Sequence, residues 1–472
     1  MRTCLAGLVF LVLGGMAGHG ETVASLPPTL YLPLIARETA ESPLQPSDFT
    51  YLGAFRLPEG RERPYTFEYG GNAMTFCPEG DPSGPADGFP GSLFLSGHDR
   101  LPYSELPNGG QIAEIRIPAP SKARDVALLP RAALLQDFHN VAAGFFPGLD
   151  EIPRMGMQFL RSAATGAKIH LAWGQHFQET AGASHAWFDP NLSAPNTRGT
   201  WFIGSQSLYS VNDYMLEIPA AWAERFSQGR PLGTGRFRDG GWSGMGPALF
   251  AYRPWTDAGA APADGTHLME TTLLLYQDSA TTESIEKCLS GYQHPDEWQG
   301  AAWITTPGGK TAVLFAGTKG IGARYWYGYI NPAGPDIPCV DVDLLGQFPL
   351  CRHADGTPCG AEDLSGCSGH NLYRGWWSSR FAARIIFYNP ADLAQVARGE
   401  KSSWLPQPYA ALDLDQALYL NPGQVETEML GTGLQRRYRI GDMTYDRNSR
   451  LLYLLELFAD GAAPVVHVWR LD

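Results

Sequence analysis

His98 and His176 hold equivalent places in this chain: each comes just after a short apolar segment, SLFLSG in one case and KIHLAWGQ in the other. Imidazole titrates near neutral pH, so a histidine at such a position is suited to take or give a proton. Arg100 follows the first histidine closely, and Tyr69 and Arg154 stand just ahead of the segments AMTFC and MGMQFL. One chemistry uses the whole set. A histidine or tyrosine removes a proton while an arginine neutralises a substrate carboxylate, as β-elimination in a uronic-acid polymer requires. A second chemistry uses two carboxylates, Asp278 and Glu456, to cleave a glycosidic bond. The competing reading of each residue is structural. Histidine and aspartate after a strand can hold a tight turn through hydrogen bonds to backbone, and arginines can pair with nearby acids.

The aromatic residues suit a different class of function. GARYWYGYI and HNLYRGWWSSRF flank one long excursion and place Tyr325, Trp326, Trp376 and Trp377 on or near it. Exposed, such a group would bind a sugar or a protein surface; buried, it would be a small core beneath the excursion. Between these runs, CVDVDLLGQFPLCRHADGTPCGAEDLSGCSGH carries Cys339, Cys351, Cys359 and Cys367. His353 and His370 lie close enough to raise zinc, but there is no C-x-x-C pair and thiolate ligands oxidise outside the cell, so disulfides are expected.

No metal and no cofactor is expected. GGWSGMG around Ser243 departs from the nucleophile-elbow pattern at Met245, and GTKGIG has neither the spacing nor the setting of a phosphate-binding loop. Asp341 and Asp343 lack the other ligands of a calcium loop.

A formal net charge of -13 argues against nucleic acid or an anionic membrane as the main partner, since both need basic patches. The opening MRTCLAGLVFLVLGGMAGHGET reads as a secretory signal peptide over residues 1–20, its apolar run too short for a transmembrane anchor. Export explains the cysteines, because disulfides persist in oxidising compartments. Residues 21–48 are rich in proline and small residues and read as a disordered lead-in, and 49–472 as one domain with a cysteine-rich insertion near 330–378.

The elements that must position these residues are short strands. Glycine (54) and proline (37) are abundant, aromatics reach 12% and charged residues only 18%, a balance suited to an all-β chain with many turns. A glycine, a nearby aromatic, a turn and an apolar strand recur five times: GGNAMTFCPEG to SLFLSGHD, GMQFLRSAATG to KIHLAWGQH, GPALFAYRPW to METTLLLYQD, GAAWITTPGGK to TAVLFAGTKG, and GDMTYDRNSR to LLYLLELF. A third strand follows in most units as QIAEIRIPAP, NDYMLEIPAAWAERFSQG or RIIFYNPADLAQVARGE, twice running into an alanine-rich helical turn that ends on glycine.

Four-stranded meanders repeated in this way predict a β-propeller of about five blades, with a β-sandwich as the alternative. The third blade is the least regular, since only about 20 residues remain after METTLLLYQD for two strands and their turns. The last unit lacks an outer strand and the folded region opens with an unassigned one, TYLGAFRLP. The two ends are therefore predicted to pair and close the ring.

RIIFYNPADLAQVARGEKSSWLPQPYAALDLDQALY, TAVLFAGTKGIGARYWYG and GDMTYDRNSRLLYLLE together resemble a family of secreted bacterial β-propeller proteins. The resemblance implies a fold and a location and transfers no catalytic residue.

In such a blade, the loop entering the innermost strand and the loop leaving the second strand open on one face, around the channel mouth. Entering loops offer Glu68, Tyr69, Asn72, Arg154, Trp242, Ser243, Glu297, Trp298, Gln299, Arg439 and Asp442. Leaving loops offer His98, Asp99, Arg100, Gln175, His176, Gln277, Asp278, Lys319 and Glu456. The expectation is an exported propeller whose channel mouth engages an extracellular polymer or small ligand, foremost a carbohydrate, by a lyase or glycoside-hydrolase reaction. The alternative is a non-catalytic carbohydrate- or protein-binding module that uses the aromatic excursion.

Overall fold

The computed structural model describes residues 42–81, 84, 88–98, 100–101, 104–105, 111–145, 154–174, 180–211, 213–236, 244–277, 287–326, 351–352, 368–369, 376–425 and 430–472. Twenty strands build five antiparallel blades. After β1 (Phe49–Arg56), the first blade is β2 (Met74–Cys77), β3 (Ser92–Ser96), β4 (Gln111–Arg116) and β5 (Leu134–Asn140). The second is β6 (Arg154–Ser162), β7 (Gly166–Gly174), β8 (His185–Phe188) and β9 (Arg198–Ile203); the third is β10 (Met215–Glu217), β11 (Leu232–Thr234), β12 (Leu249–Tyr252) and β13 (Glu270–Leu274). The fourth is β14 (Glu297–Thr305), β15 (Lys310–Trp326), β16 (Trp376–Tyr388) and β17 (Ala410–Asp413). The fifth is β18 (Ile440–Asp446), β19 (Leu451–Asp460) and β20 (Ala463–Leu471), completed on its outside by β1.

The predicted closure is present. β1 pairs antiparallel with β20, Ala54 opposite His467 and Phe55 opposite Val466, across a bulge between Tyr51 and Gly53. The chain is also ordered ahead of β1, within the stretch read as a disordered lead-in. Ser42–Pro43 pairs in parallel with the start of β15, and Leu44 is fully buried against the fourth and fifth blades with its carbonyl accepting from Tyr409 Oη at 2.7 Å.

The third blade departs from the sequence reading. NDYMLEI was placed as the third strand of the second blade, and GPALFAY as the start of the third blade. In the structure NDYMLEI holds β10, the innermost strand of the third blade, and GPALFAY holds β12, its third strand. The second blade is completed by β8 and β9 from HAWF and RGTWFI. The third blade is therefore a full four-stranded sheet, and the 20 residues after it need hold no strands. The reading slipped because an x-Pro-Ala turn with a short helix follows an inner strand here (α1, Ala220–Phe226) but a third strand in the fourth blade (α2, Pro390–Ala397). α2 opens with Asn389 Oδ1 accepting from Ala391 N at 3.0 Å, and both helices are followed by a positive-φ glycine, Gly229 or Gly399.

Radial stacking buries blades on both faces, so inner and second strands are almost continuously buried while outer strands are more exposed. All of β14 but its last residue is buried, whereas β17 alternates half-buried and exposed. Five apolar seams follow, one per pair of neighbours. Phe55, Phe76 and Leu93 meet Tyr453 and Val466 between the fifth and first blades, and Phe94 meets Met155 and Phe159 between the first and second. Leu160, Trp187 and Trp201 meet Phe250, Leu249 and Tyr214 meet Trp298 and Phe315, and Leu314 and Ile385 meet Leu454 and Trp469.

The seam between the second and third blades hides two histidines. His185 Nε2 bonds to Thr234 Oγ1 at 3.0 Å and Nδ1 to Ser184 Oγ at 2.9 Å. His170 sits edge-on to Trp187, and neither of its ring nitrogens has a partner among the described residues. Burial pushes both imidazoles down to about 3, with Lys168 and His185 adding to the effect on His170. The unfolded chain takes up a proton on His170 near pH 6.5, but the folded state stays neutral down to about 3, so stability is lost as pH falls through that window. His170→Phe keeps the ring and removes the proton site. Its stability advantage over wild type is expected to widen by about 1.4 kcal/mol per pH unit below about 6.5 in urea unfolding. Parallel pH profiles for the two proteins would refute this.

Candidate functional site

The inner strands approach one another at glycines. A Cβ at Gly156 would overlap the Asp213 carbonyl, one at Gly300 would lie 2.8 Å from Met443 N, and one at Gly441 would overlap the Gly71 carbonyl. These contacts give the repeating glycine its physical reason. Amides on the unpaired edges of these strands are taken by side chains from neighbouring blades. Asp442 Oδ2 accepts from Met74 N at 2.8 Å, Thr444 Oγ1 from Phe76 N at 3.1 Å, and Thr75 Oγ1 from Phe159 N at 2.7 Å. Burial raises the Asp442 carboxyl well above the usual range, the two amide donors opposing it.

Each blade sets a polar or ionisable residue where its inner strand begins: Asn72, Arg154, Asp213, Glu297 and Asp442. Asp213, and Arg236 at the end of the neighbouring second strand, were missed because β10 was assigned to the wrong blade. Trp242, Ser243 and Asp278 lie outside the described residues, ahead of β12 and after β13. In the fourth blade Lys319 is committed to Asp296, Nζ to Oδ1 at 2.9 Å, with both side chains buried.

Among the described residues, the structure brings His98 and Tyr69 together. His98 is fully buried, and its Nδ1 lies 2.6 Å from the Glu68 carbonyl. A carbonyl only accepts, so Nδ1 carries the proton and the Nε2 lone pair is left as a base; Nε2 has no partner among the described residues. Burial lowers the imidazole below its ordinary value, against the pull of the Glu68 carbonyl, and so favours the neutral form. The Tyr69 ring stands edge-on to His98, centroids 5.8 Å apart. Arg63 lies over Tyr69 at 5.2 Å and pairs with Glu68 at 3.1 Å.

Backbone strain gathers at the same place. Tyr69 adopts φ 59°, Tyr438 φ 50° and Phe458 φ 52°, so three of the seven positive-φ non-glycine residues described belong to one small apolar cluster. Such conformations cost of order 1–3 kcal/mol each and concentrate at functional sites. Tyr69 N donates to Ala462 O at 2.8 Å, and its ring meets Phe458 edge-on. Close by, Arg436 is 4% exposed and donates to the carbonyls of Leu457 and Phe458. It makes no ion pair among the described residues, and burial pushes it down to about 10. Neither Arg63 nor Arg436 was singled out from the sequence. Arg63 could have been found in the run RERPYTFEY ahead of the first inner strand.

Glu456 is placed differently from the sequence reading. It lies inside β19 rather than in a loop leaving it, and it is fully buried. Its carboxylate accepts from Tyr419 N at 2.9 Å, Leu420 N at 2.6 Å and His467 Nε2 at 2.9 Å, while His467 Nδ1 faces Tyr51 Oη at 3.0 Å. Three donors hold this carboxylate, two from the segment that links the fourth and fifth blades and one from β20.

His176, Gln175 and Asp99 lie outside the described residues, and only the backbone is described for Arg100 and Arg154. Cys339, Cys359 and Cys367 also lie outside, and Cys351 is placed by backbone alone, opposite Gly369. Cys77 is a free thiol, buried at the end of β2. β15 and β16 continue past Thr318, which faces the first residue of the inner strand, and their register sets Tyr325 opposite Trp377 and Trp326 opposite Trp376. The eight residues from Lys319 to Trp326 span roughly 26 Å of strand.

No protein-family model and no curated protein matches the chain. Among solved structures, one from the GH130 family of mannoside phosphorylases, which contains glycoside hydrolases that target β-1,2 mannosidic linkages in Candida mannan, aligns over 89% of this chain and 94% of its own, with a TM-score of 0.34 and 11% identity. A humanized mutant of the Chaetomium thermophilum Polycomb Repressive Complex 2 aligns over 89% and 97%, with a TM-score of 0.27 and 9% identity. Likeness at this level carries no information about activity. The chain is an all-β, five-bladed propeller.

Proposed function

We propose that this protein is an exported carbohydrate-active propeller that cleaves a uronic-acid polysaccharide by β-elimination at the rim of its first blade. The observation that supports it best is the His98 tautomer: Nδ1–H is tied to a backbone carbonyl, and Nε2 is left as a base with no partner among the described residues, beside Tyr69. In the reaction, Nε2 takes the proton next to the uronate carboxylate. The electron pair forms the ring double bond as the neighbouring C–O bond breaks, and the leaving oxygen takes a proton from the Tyr69 hydroxyl. Arg63 faces the substrate carboxylate as its charge rises, and the buried Arg436 adds positive potential. The capping of Glu456 by three donors weighs against the two-carboxylate alternative. Export rests on the leader sequence.

Incubation with a panel of neutral and uronic-acid polysaccharides tests this, following reducing ends and ultraviolet absorbance together. Uronic-acid polymers are expected to give both signals and neutral polymers neither. The base must be neutral, and burial lowers its pKa, so kcat/KM should stay level from neutral pH to below 6.5 before falling. Reducing ends without absorbance would point to hydrolysis. Silence across the panel would favour a binding role for the aromatic arm of the fourth blade.

A further inference from the structure

The strand ends opposite the rim carry a cavity of about 320 Å³ in the seam between the first and second blades. Phe94, Phe159 and Pro190 give it apolar walls, and Glu114 supplies its buried polar group. Glu114 is 5% exposed, accepting from Ser92 Oγ at 2.5 Å and Gln136 Nε2 at 2.7 Å. A carboxylate offers about four acceptor positions, so about half remain for a ligand. Gly80 lets the turn after β2 lie against this carboxyl: a Cβ there would stand 2.5 Å from Glu114 Oε1.

The ionisable groups that line it are all acids; burial raises the Glu114 carboxyl above its ordinary value, against the hydrogen bonds from Ser92 and Gln136, so a cation seated on it would favour the ionised form. Glu79 also lines the cavity, and the cation at its edge, Arg161, holds Glu79 with two hydrogen bonds while remaining about half exposed. Burial pushes the Cys77 thiol up to about 11, so it lines the cavity as a neutral group rather than a nucleophile. The volume sits at the lower end of the range for ligand pockets and suits a single-ring molecule. Apolar walls around a buried acid match a cation with a compact apolar body.

We propose that this cavity binds a small organic cation, a primary ammonium on an apolar ring, with the ammonium seated on Glu114. The site is independent of the rim and of any reaction there. Calorimetric titration of the full chain with benzylamine, benzyl alcohol and benzoate tests it. Benzylamine is expected to bind one-to-one, and the alcohol and benzoate about tenfold more weakly or worse. Glu114→Gln keeps the size and hydrogen-bonding shape and should weaken benzylamine binding about tenfold or more. Asn191→Trp, which adds bulk at an exposed lining position, should do the same by a different route. Absence of benzylamine binding, equal affinity for benzyl alcohol, or undiminished binding in both variants would overturn the proposal.

Discussion

Alanine at Gly156 is expected to prevent the ring from folding. The added methyl group would overlap the Asp213 carbonyl carbon and oxygen, which belong to the neighbouring blade's backbone. No flexible side chain lies there to yield, so relief requires two blades to separate along the seam that Leu160, Met215 and Phe250 fill. Overpacking a core costs about 1–3 kcal/mol when side chains can adjust, and more when they cannot. Total stabilities are of order 5–15 kcal/mol, so several kcal/mol at this position suffices to remove most folded protein. Gly308→Ala is the matched control: its nearest neighbour is Thr306 Oγ1 at 3.8 Å, and its φ is not positive. Circular dichroism and urea unfolding should show Gly308→Ala close to wild type and Gly156→Ala unfolded or severely weakened. A Gly156→Ala protein within 1 kcal/mol of wild type would contradict the close approach of these strands.

Closure of the ring makes the second large prediction. Phe55 and Val466 are fully buried and directly opposite each other, one near each end of the domain. Phe55→Ala should cost about 3–5 kcal/mol, as removal of a buried aromatic ring does. Joined with Val466→Ala in a double-mutant cycle, it should show a coupling of about 0.5–3 kcal/mol, because each side chain forms part of the other's packing surface. Strict additivity would mean that the ends do not meet in solution.

The reach of sequence reasoning differs between fold and site. The blades were legible because the glycine that spaces them is imposed by backbone approach, as at Gly156, Gly300 and Gly441, and because TYLGAFRLP belonged to no unit while the last unit, ending in VVHVWRLD, lacked an outer strand. The third blade was misread because local turn chemistry around Pro219 and Pro390 does not encode which strand precedes it. At the site, the position of His98 after a second strand was legible, whereas its burial and tautomer depend on Glu68 and Tyr69 folding over it. Glu456 carried an unused signal: a lone acid inside LLYLLELFA and a lone histidine inside VVHVWR each need a buried partner, and they are each other's. Arg436 becomes visible only once Leu457 and Phe458 are placed beside it.

The most direct test of the proposed chemistry is the initial rate of double-bond formation on a uronic-acid polymer by wild type and His98→Ala, with unfolding curves recorded for both. The account predicts a loss of about 10²–10⁴-fold in rate, the range for removing a general base, in a protein that remains folded. A folded His98→Ala protein that forms double bonds at the wild-type rate would contradict it.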